Sequence, residues 1–349
     1  MQLEDTIAVR TGESFDLPAI ERYLREHIEG LGTGTLQVRQ FPSGASNLTY
    51  LLQVGTWEGV LRRPPFGPVP PKAHDMEREA GLLQKVHPVF ALAPKPYVFC
   101  NDLSIMGVPF YVMERKCGFV LNDTYPSGVM PSEVIGRGIS LTTVETLVHI
   151  HGIDWQAAGL DTLGHPEGFL GRQVKGWIER YARAKTDEIP QVEPLIRWLA
   201  EHVPQSPAPS LIHNDFKLNN MLFSLEDVTQ ATAVLDWEMA TIGDPLFDLA
   251  VSLCYWIQPD DSDAMKAVLP TVTTTQGFFT RAQFIEVYAQ KSGRDISSMQ
   301  FYMAFAYFKL AVILQQIYAR WKHGQTQDAR FEAFKTRVHT LIVHAASLM

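Results

Sequence analysis

Hydrophobic and polar positions follow two different patterns along the chain. Over its first third, short runs rich in β-branched and aromatic residues are separated by turns that contain glycine, proline or asparagine, as in a β-sheet. Beyond that point, apolar residues mostly recur every three to four positions over longer runs, as in α-helices. The pattern predicts a small β-rich lobe followed by a larger helical lobe, joined near Met113 to Gly118.

Helix caps and turn residues set the predicted element boundaries. In the first lobe, the sequence predicts helices over residues 16–30 and 72–86 and strands over residues 36–41, 48–54, 57–63, 96–100 and 109–115. In the second, it predicts helices over residues 141–152, 173–184 and 195–202, strands over residues 211–213, 221–223 and 233–237, and helix from Phe247 onward. Asp16 is expected to cap the first helix and Gly30 to end it.

Polar residues are concentrated between Leu211 and Ala250, where the chain reads LIHNDFKLNNMLF and then AVLDWEMATIGDPLFDLA. The spacing is H-x-D-x-x-x-x-N followed by a downstream D-x-E. Phosphoryl transfer to a hydroxyl needs a carboxylate to accept the proton and oxygen-bearing side chains to hold Mg²⁺ on the phosphates. The segment therefore predicts a kinase that acts on a small molecule.

Three residues of this segment are catalytic candidates. Asp215 is the expected base, which accepts the hydroxyl proton during transfer. Lys217 is placed to neutralise charge on the transferring phosphoryl group. His213 is expected to brace the loop by hydrogen bonding. A surface turn without function would account for an isolated aspartate, but not for the whole matched set.

Metal-binding candidates lie on both sides of the gap in the motif. Asn220 would supply an amide oxygen, and Asp236, at the end of a strand, would bridge Mg²⁺ and the phosphates. Glu238 would face the same side if the chain stays extended, and would hold a second metal directly or through water. Asp244 and Asp248 are expected to be structural, as a helix cap and as a brace behind the loop.

Nucleotide-binding candidates lie in the first lobe. Small residues in the turn PSGASN would let backbone N–H groups approach a polyphosphate, and backbone groups after the fifth strand would pair with an adenine edge. The residues so assigned are Ser43, Gly44, Ser46 and Asn47 in the turn, and Met113, Glu114 and Lys116 after the strand.

The third strand supplies the nucleotide-side cation. Val60 and Arg62 share one face of it by the two-residue period, so Val60 would cover the base and Arg62 would reach the phosphates. Arg63 is the alternative cation. A carboxylate from the next helix should hold the cation, and Glu79 is preferred to Glu77.

Composition narrows the classes of partner and compartment. The net charge of −8 gives no electrostatic footprint for nucleic acid. Three cysteines without a C-x-x-C pair, and an N-terminus without an apolar signal, are typical of a cytoplasmic protein. The apolar stretch from Phe301 to Ile317 is interrupted by Lys309 and predicts a buried helix rather than a membrane span. Nothing in the sequence indicates an oligomeric state.

By its motifs the chain resembles the aminoglycoside phosphotransferase and choline kinase superfamily. It is most similar to the branch of the N-terminal kinase-like domains of acyl-CoA dehydrogenase family members 10 and 11. The matching segments are SGASNLTYLL, VLRRPP, EREAGLL, GRQVKGWIERY, HNDFKLNNMLF and LDWEMATIGDPLFDLA. Two positions depart from the family pattern: Arg62 stands in place of lysine, and Asn214 stands where glycine is frequent.

The resemblance implies an α+β, bilobal protein-kinase-like fold, divided into residues 1–115 as the nucleotide-binding lobe and residues 116–349 as the helical lobe with the acceptor site. It implies ATP and Mg²⁺ as cofactors, with Asp215 as base and Asn220 and Asp236 as metal ligands.

The expected partner is a small-molecule alcohol, and the branch suggests a hydroxyacyl compound, carried on CoA. The alternatives are an aminoglycoside or amino-alcohol kinase and a catalytically weak nucleotide-binding regulator. A protein kinase proper is disfavoured, since no A-P-E motif or activation loop follows Asp236.

Overall fold

The computed structural model describes residues 5–42, 47–67 and 74–349. These residues form two compact units. The first contains the described residues up to Phe119, with Leu222–Leu225 and Ala231–Glu238, and the second contains Val120–Met221, Glu226–Gln230 and Met239–Met349. The first unit therefore takes two segments from the later half of the chain, which the linear division into residues 1–115 and 116–349 did not foresee.

The first unit contains an antiparallel sheet that the sequence pattern anticipates closely. Its strands are β1 (Gln37–Gln40), β2 (Leu48–Val54), β3 (Trp57–Arg63), β4 (Pro96–Cys100) and β5 (Phe110–Glu114). They lie in the order β1-β2-β3-β5-β4. Strands β2 and β3 have the bounds expected from the alternation of their residues, and they pair so that Thr49 lies opposite Arg62.

Three helices accompany this sheet: α1 (Leu17–His27), α2 (Met76–Val86) and α3 (Leu103–Met106). The side chain of Asp16 caps α1 as expected, accepting from Ala19 N, and Asp75 caps α2 in the same way. Ile20 and Leu24 of α1 are fully buried with Tyr50 in one hydrophobic core. A small sheet in the order β6-β8-β9 is formed by β6 (Phe119–Val120), β8 (Met221–Phe223) and β9 (Ala231–Val234).

The second unit is mostly helical. Its helices are α4 (Glu133–Gly152), α5 (Phe169–Ala184), α6 (Val192–Glu201), α7 (Pro245–Cys254), α8 (Asp263–Val268), α9 (Arg281–Ser292), α10 (Met299–Lys322) and α11 (Phe334–Ala346), and β7 (Ser210–Ile212) pairs with β10 (Thr241–Gly243). Within the described residues, α10 alone is long and apolar enough to cross a membrane, but 78% of its apolar window is buried inside the protein. It packs against α5, α7 and α11 as a core helix.

Helix α4 begins eight residues earlier than the sequence predicted. Ser132 caps it, and Gly136 and Gly138 lie in its first turns. Glycine disfavours helix, which is why the pattern was not recognised there. The structure shows why both are glycine: a Cβ at Gly136 would lie 2.7 Å from Phe278 N, and one at Gly138 would lie 2.6 Å from a methyl group of Thr229. Close packing outweighs helix propensity at these positions.

Candidate active site

The loop after β7 is held from behind by Asp248 of α7. This fully buried carboxylate accepts from the backbone N–H groups of His213, at 2.8 Å, and Asn214, at 2.7 Å. His151 Nε2 lies 3.1 Å from the same carboxylate, and His151 Nδ1 lies 2.7 Å from the hydroxyl of Tyr288. Burial raises the pKa of Asp248, but the contacts with His151 and the loop outweigh it and hold that pKa below its ordinary value. Asp248 thus braces the loop, as expected from the sequence.

Three polar residues of the loop contact one another directly. Lys217 Nζ lies 2.8 Å from each carboxylate oxygen of Asp215. The amide nitrogen of Asn220 donates to the backbone carbonyl of Asp215 at 2.8 Å and to Oδ2 of its side chain at 3.0 Å. This arrangement turns the amide oxygen of Asn220 away from Asp215. The ammonium group of Lys217 also lies 4.8 Å from the ring centroid of Tyr255.

Asn214 adopts the left-handed backbone conformation, with φ +65°. Glycine adopts this conformation without strain, and asparagine does so more readily than most other residues. The backbone geometry therefore accounts for the departure from glycine that the sequence shows at this position.

In the first unit, Arg62 and Glu79 form a buried ion pair. The guanidinium nitrogen Nη1 lies 2.5 Å from Glu79 Oε1, and the two residues are 8% and 2% exposed. Burial raises the pKa of Glu79 to about 7, and the Arg62 charge opposes this shift. Arg63 instead donates to Pro64 O and stacks over Phe66. The structure therefore selects Arg62 and Glu79 from the alternatives that the sequence left open.

The guanidinium group of Arg62 also contacts the two candidate metal ligands of this unit, Asp236 and Glu238. Arg62 Nη2 lies 3.2 Å from Asp236 Oδ1 and 3.4 Å from Glu238 Oε2. Asn47 donates to Glu238 Oε2 at 2.8 Å, and Arg78 donates to the Glu238 backbone carbonyl at 2.8 Å. The carboxylates of Asp236 and Glu238 thus converge on one cation.

Asp236 reaches this position by a turn rather than by an extended strand. Strand β9 ends at Val234, Asp236 has φ +66°, and residues Trp237–Met239 form a 3₁₀ turn. The expectation that Asp236 ends the strand and that the chain stays extended to Glu238 is therefore wrong. The left-handed conformation at Asp236 breaks the two-residue alternation and still brings both carboxylates to Arg62.

The chemistry of these groups fits Mg²⁺ and a nucleotide. Within the described residues, no cluster of three or more His, Cys, Asp or Glu side chains forms a metal site. Mg²⁺ does not require one, because it is usually held by one or two carboxylates together with phosphate oxygens and water. Asp236 and Glu238 provide such a pair, and Arg62 provides a planar cation suited to phosphate.

The other candidate nucleotide-binding residues differ in their surroundings, and some of them lie outside the described residues. Ser43, Gly44 and Ser46 lie outside the described residues. Val60 and Met113 are buried and lie opposite each other in β3 and β5. The backbone N–H of Glu114 donates to Lys95 O at 2.7 Å, and the pairing of the Glu114 to Lys116 backbone with an adenine edge stays a prediction. The Lys116 side chain lies 3.0 Å from Glu114 Oε2.

A cavity of about 700 Å³ lies in the second unit beside the catalytic candidates. Lys217 and Tyr255 line it, and Trp256 contributes to its apolar wall. Arg330 and Arg337 also line it, although sequence reasoning passed over both. In the sequence, only the mixed charge of the C-terminal region pointed to them. No sequence motif indicates that the fold brings this region close to Lys217.

Comparisons with known proteins bear on the family and the fold of this chain. The family model described as "Phosphotransferase enzyme family" matches residues 37–302. The chain is 36% identical to acyl-CoA dehydrogenase family member 11 of Rattus norvegicus over 330 residues, and 34% identical to family member 10 of Mus musculus over 326 residues. Each match covers 93% of this chain but only 42% and 30% of the respective relative. The chain therefore spans less than half the length of these relatives.

Solved structures show the same fold. A protein of Ralstonia eutropha JMP134, provisionally named an aminoglycoside phosphotransferase, matches with a TM-score of 0.83 and 29% identity, over 96% of this chain and 98% of that one. A choline kinase of Cryptosporidium parvum Iowa II matches with a TM-score of 0.63 and 14% identity, over 95% of each chain. An aminoglycoside phosphotransferase in ternary complex with AMP-PNP and hygromycin B matches with a TM-score of 0.58 and 17% identity, over 93% of this chain and 98% of that one.

These matches confirm the α+β kinase-like fold and the family expected from the sequence. With more than half of its length matched, the chain belongs to the phosphotransferase enzyme family.

Proposed function

We propose that this protein transfers the γ-phosphoryl group of ATP, with Mg²⁺, to a hydroxyl of a small molecule. The observation that carries the proposal is the contact group Asp215, Lys217 and Asn220 on a loop whose backbone Asp248 fixes. Family membership supports the reaction class. The structural relative that holds AMP-PNP and hygromycin B supports a nucleotide as donor.

Each of the site residues would have its own role in phosphoryl transfer. Asp215 would accept the hydroxyl proton, and Lys217 would stabilise negative charge on the phosphoryl group. Asp236 and Glu238 of the first unit would hold Mg²⁺, which when bound neutralises charge on the phosphates. The ligand role of Asn220 stays a prediction from the sequence. Arg62, fixed by Glu79, would contact the phosphates from the nucleotide side.

The cavity beside Lys217 favours an anionic acceptor with an apolar part. Besides Lys217, it is lined by Arg330 and Arg337, with Asp123 as its single acidic residue and Trp256 in its apolar wall. Arg330 pairs with Asp328, so Arg337, over the Phe334 ring, is the better-placed cation for a ligand. A hydroxyacyl compound fits this chemistry, whereas a cationic aminoglycoside or amino alcohol would face like charges.

Nucleotide binding is tested by a thermal shift titration of ATP with and without Mg²⁺, on the wild type and on Asp236→Ala. A ligand at one hundred times its Kd stabilises the native state by about 2.7 kcal/mol, which we expect for wild type with Mg²⁺ and not for the variant. Asp263→Ala, a change at an exposed acidic residue, is the matched control. Absence of any nucleotide-dependent shift contradicts the proposal.

The acceptor is tested by incubating the protein and ATP·Mg²⁺ with hydroxyacyl-CoA thioesters, free hydroxy acids, aminoglycosides and choline, and detecting phosphorylated product by mass spectrometry. We expect product from the anionic alcohols. Replacement of Arg337 by Met should raise the acceptor KM about tenfold and leave the KM for ATP unchanged, because one charge-assisted contact is lost. Arg320→Met is the control. Nucleotide binding without any product would favour the regulator instead.

A further inference from the structure

A lysine is buried beneath the catalytic loop. Lys309 lies near the middle of α10, between Phe308 and Leu310, and it is 8% exposed. Lysine is almost never buried to this extent without a partner, because its charge must be removed from water. In the sequence Lys309 only interrupts an apolar run, so its position in the core calls for an explanation.

Its polar contact is with the loop. Lys309 Nζ donates to the backbone carbonyl of Asn214, at 3.4 Å. The same ammonium nitrogen lies 5.0 Å from the ring centroid of Phe247 and 5.8 Å from that of Trp177. In the part of the chain that the structure describes, it forms no salt bridge. The one group to which Lys309 donates a hydrogen bond is therefore the carbonyl that precedes Asp215.

Asn214 is held at three points. Its backbone N–H donates to Asp248 Oδ1 at 2.7 Å, its side-chain amide donates to Met239 O at 3.0 Å, and its carbonyl accepts from Lys309. The carbonyl of Asn214 and the N–H of Asp215 belong to one planar peptide group. Whatever orients the carbonyl therefore also orients the start of the Asp215 backbone, next to a left-handed residue.

The charged groups that face Lys309 belong to the same site. Burial lowers the pKa of Lys309, while Cys254, Asp215 and Asp248 oppose the shift. Burial raises the pKa of the Cys254 thiol to about 12, so this group stays neutral. The remaining compensating charges are the carboxylates of Asp215 and Asp248, the first of them the proposed base.

We propose that Lys309 is a positioning residue for phosphoryl transfer: it fixes the peptide between Asn214 and Asp215 from the core side, so that the Asp215 carboxylate is presented together with Lys217. The inference rests on the proposed function of Asp215 as base. It assigns to α10, which the sequence shows only as a hydrophobic helix, a direct part in the geometry of the site.

A positioning role and a purely structural role of Lys309 predict different effects of its replacement on stability and on turnover. Lys309 has one hydrogen bond and no salt bridge among the described residues, so its replacement by methionine relieves the cost of holding a charge away from water. If Lys309 positions the loop, Lys309→Met should keep the stability of the protein and lose turnover. If Lys309 only contributes to packing, stability should change and turnover per folded molecule should not.

The experiment compares Lys309→Met and Lys309→Gln with Lys322→Met, which changes an exposed lysine of the same helix. Turnover is measured with the acceptor that the wild type phosphorylates. We expect Lys309→Met to lower kcat about tenfold or more, with KM for ATP and acceptor within about threefold and the melting temperature not lowered. Lys309→Gln keeps a donor and should recover part of kcat.

Hydrogen exchange provides a readout that needs no acceptor. Amides of residues 213–220 should exchange faster in Lys309→Met than in wild type or Lys322→Met, while the other elements of the second unit stay unchanged. Unchanged exchange and kcat in folded Lys309→Met overturn the inference. If the wild type phosphorylates no acceptor, the proposed function fails, and exchange alone then decides whether Lys309 positions the loop.

Discussion

Lys217 places one ammonium nitrogen 2.8 Å from both carboxylate oxygens of Asp215. The ammonium nitrogen lies equally far from both oxygens, so it restrains the position of the carboxylate. Lys217 also lines the cavity of the second unit, so the residue that contacts the proposed base borders the space in which an acceptor would bind.

Replacement of Asp215 by Asn tests the base without changing the size of the side chain. We expect kcat to fall by about 10²–10⁴ because the proton acceptor is lost. The Mg²⁺-dependent thermal shift by ATP should remain. Asp263→Asn, at an exposed acidic residue of the same unit, should keep the wild-type kcat. Equal phosphoryl transfer by Asp215→Asn and wild type would remove Asp215 from the mechanism.

The buried pair Arg62 and Glu79 predicts a large and partly reversible loss of stability. Arg62→Met leaves the Glu79 carboxylate buried without its partner, which should cost about 3–5 kcal/mol of unfolding free energy. The double variant Arg62→Met, Glu79→Met should recover part of this loss, because the buried Glu79 is removed with its partner, while Asp236 and Glu238 still lack the cation that they contact. Urea denaturation measures both. Lys185→Met, in an exposed pair with Glu188, should change stability by less than about 1 kcal/mol.

Asp248 predicts an acid-dependent part of the stability. Its pKa is lower in the folded protein than in the unfolded chain, so its stabilising contribution is present above the unfolded value of about 3.9 and is lost as the pH falls through the lower folded value. The difference in unfolding free energy between wild type and Asp248→Asn should therefore shrink below about pH 4. A difference that stays constant from pH 7 to pH 3 in urea titrations would contradict this assignment.

Two glycines of α4 allow a test of close packing, because an added Cβ would meet neighbouring atoms at one and open space at the other. Gly136→Ala places a Cβ against the backbone of Gln276 and Phe278, which should cost about 1–3 kcal/mol. Gly152→Ala meets no atom within 4 Å. It should stabilise by about 0.4–1 kcal/mol, because alanine restricts the unfolded chain. Melting temperatures of the two variants should therefore move in opposite directions, and an unchanged or higher melting temperature for Gly136→Ala would mean that packing at Gly136 is not tight.

Local chemistry made much of the fold predictable. Strands β2 and β3 were assigned residue by residue because turn-forming residues flank them, with Gly55 between the two strands and Pro64 after β3. The strand period and one helix favoured the pairing of Arg62 with Glu79, although Arg63 and Glu77 stayed open as alternatives. The roles of Asp215, Asn220 and Asp236 in catalysis remain predictions. The contacts of Asp215 with Lys217 and Asn220 were easier to expect, because the three residues lie on one short loop.

Contacts between distant segments were not predictable from the sequence. The packing of α11 brings Arg337 to the cavity that Lys217 also lines. Lys309 contacts Asn214 from the middle of an apolar helix. Neither residue belongs to a motif. The turn at Asp236 was missed because a single left-handed residue leaves no trace in a hydrophobic pattern. Such positions depend on tertiary context rather than on the period of the sequence.

The first unit cannot be completed until its last segment, Ala231–Glu238, has been synthesised. A ribosome that adds about 5–20 residues per second needs roughly 6–24 s to pass from residue 120 to residue 238. During that interval the chain lacks Asp236 and Glu238, so a sheet that formed early would have only Glu79 to pair with Arg62. We expect nascent chains arrested before residue 231 to be cleaved by protease within the first unit, and chains arrested well past residue 238 to be protected.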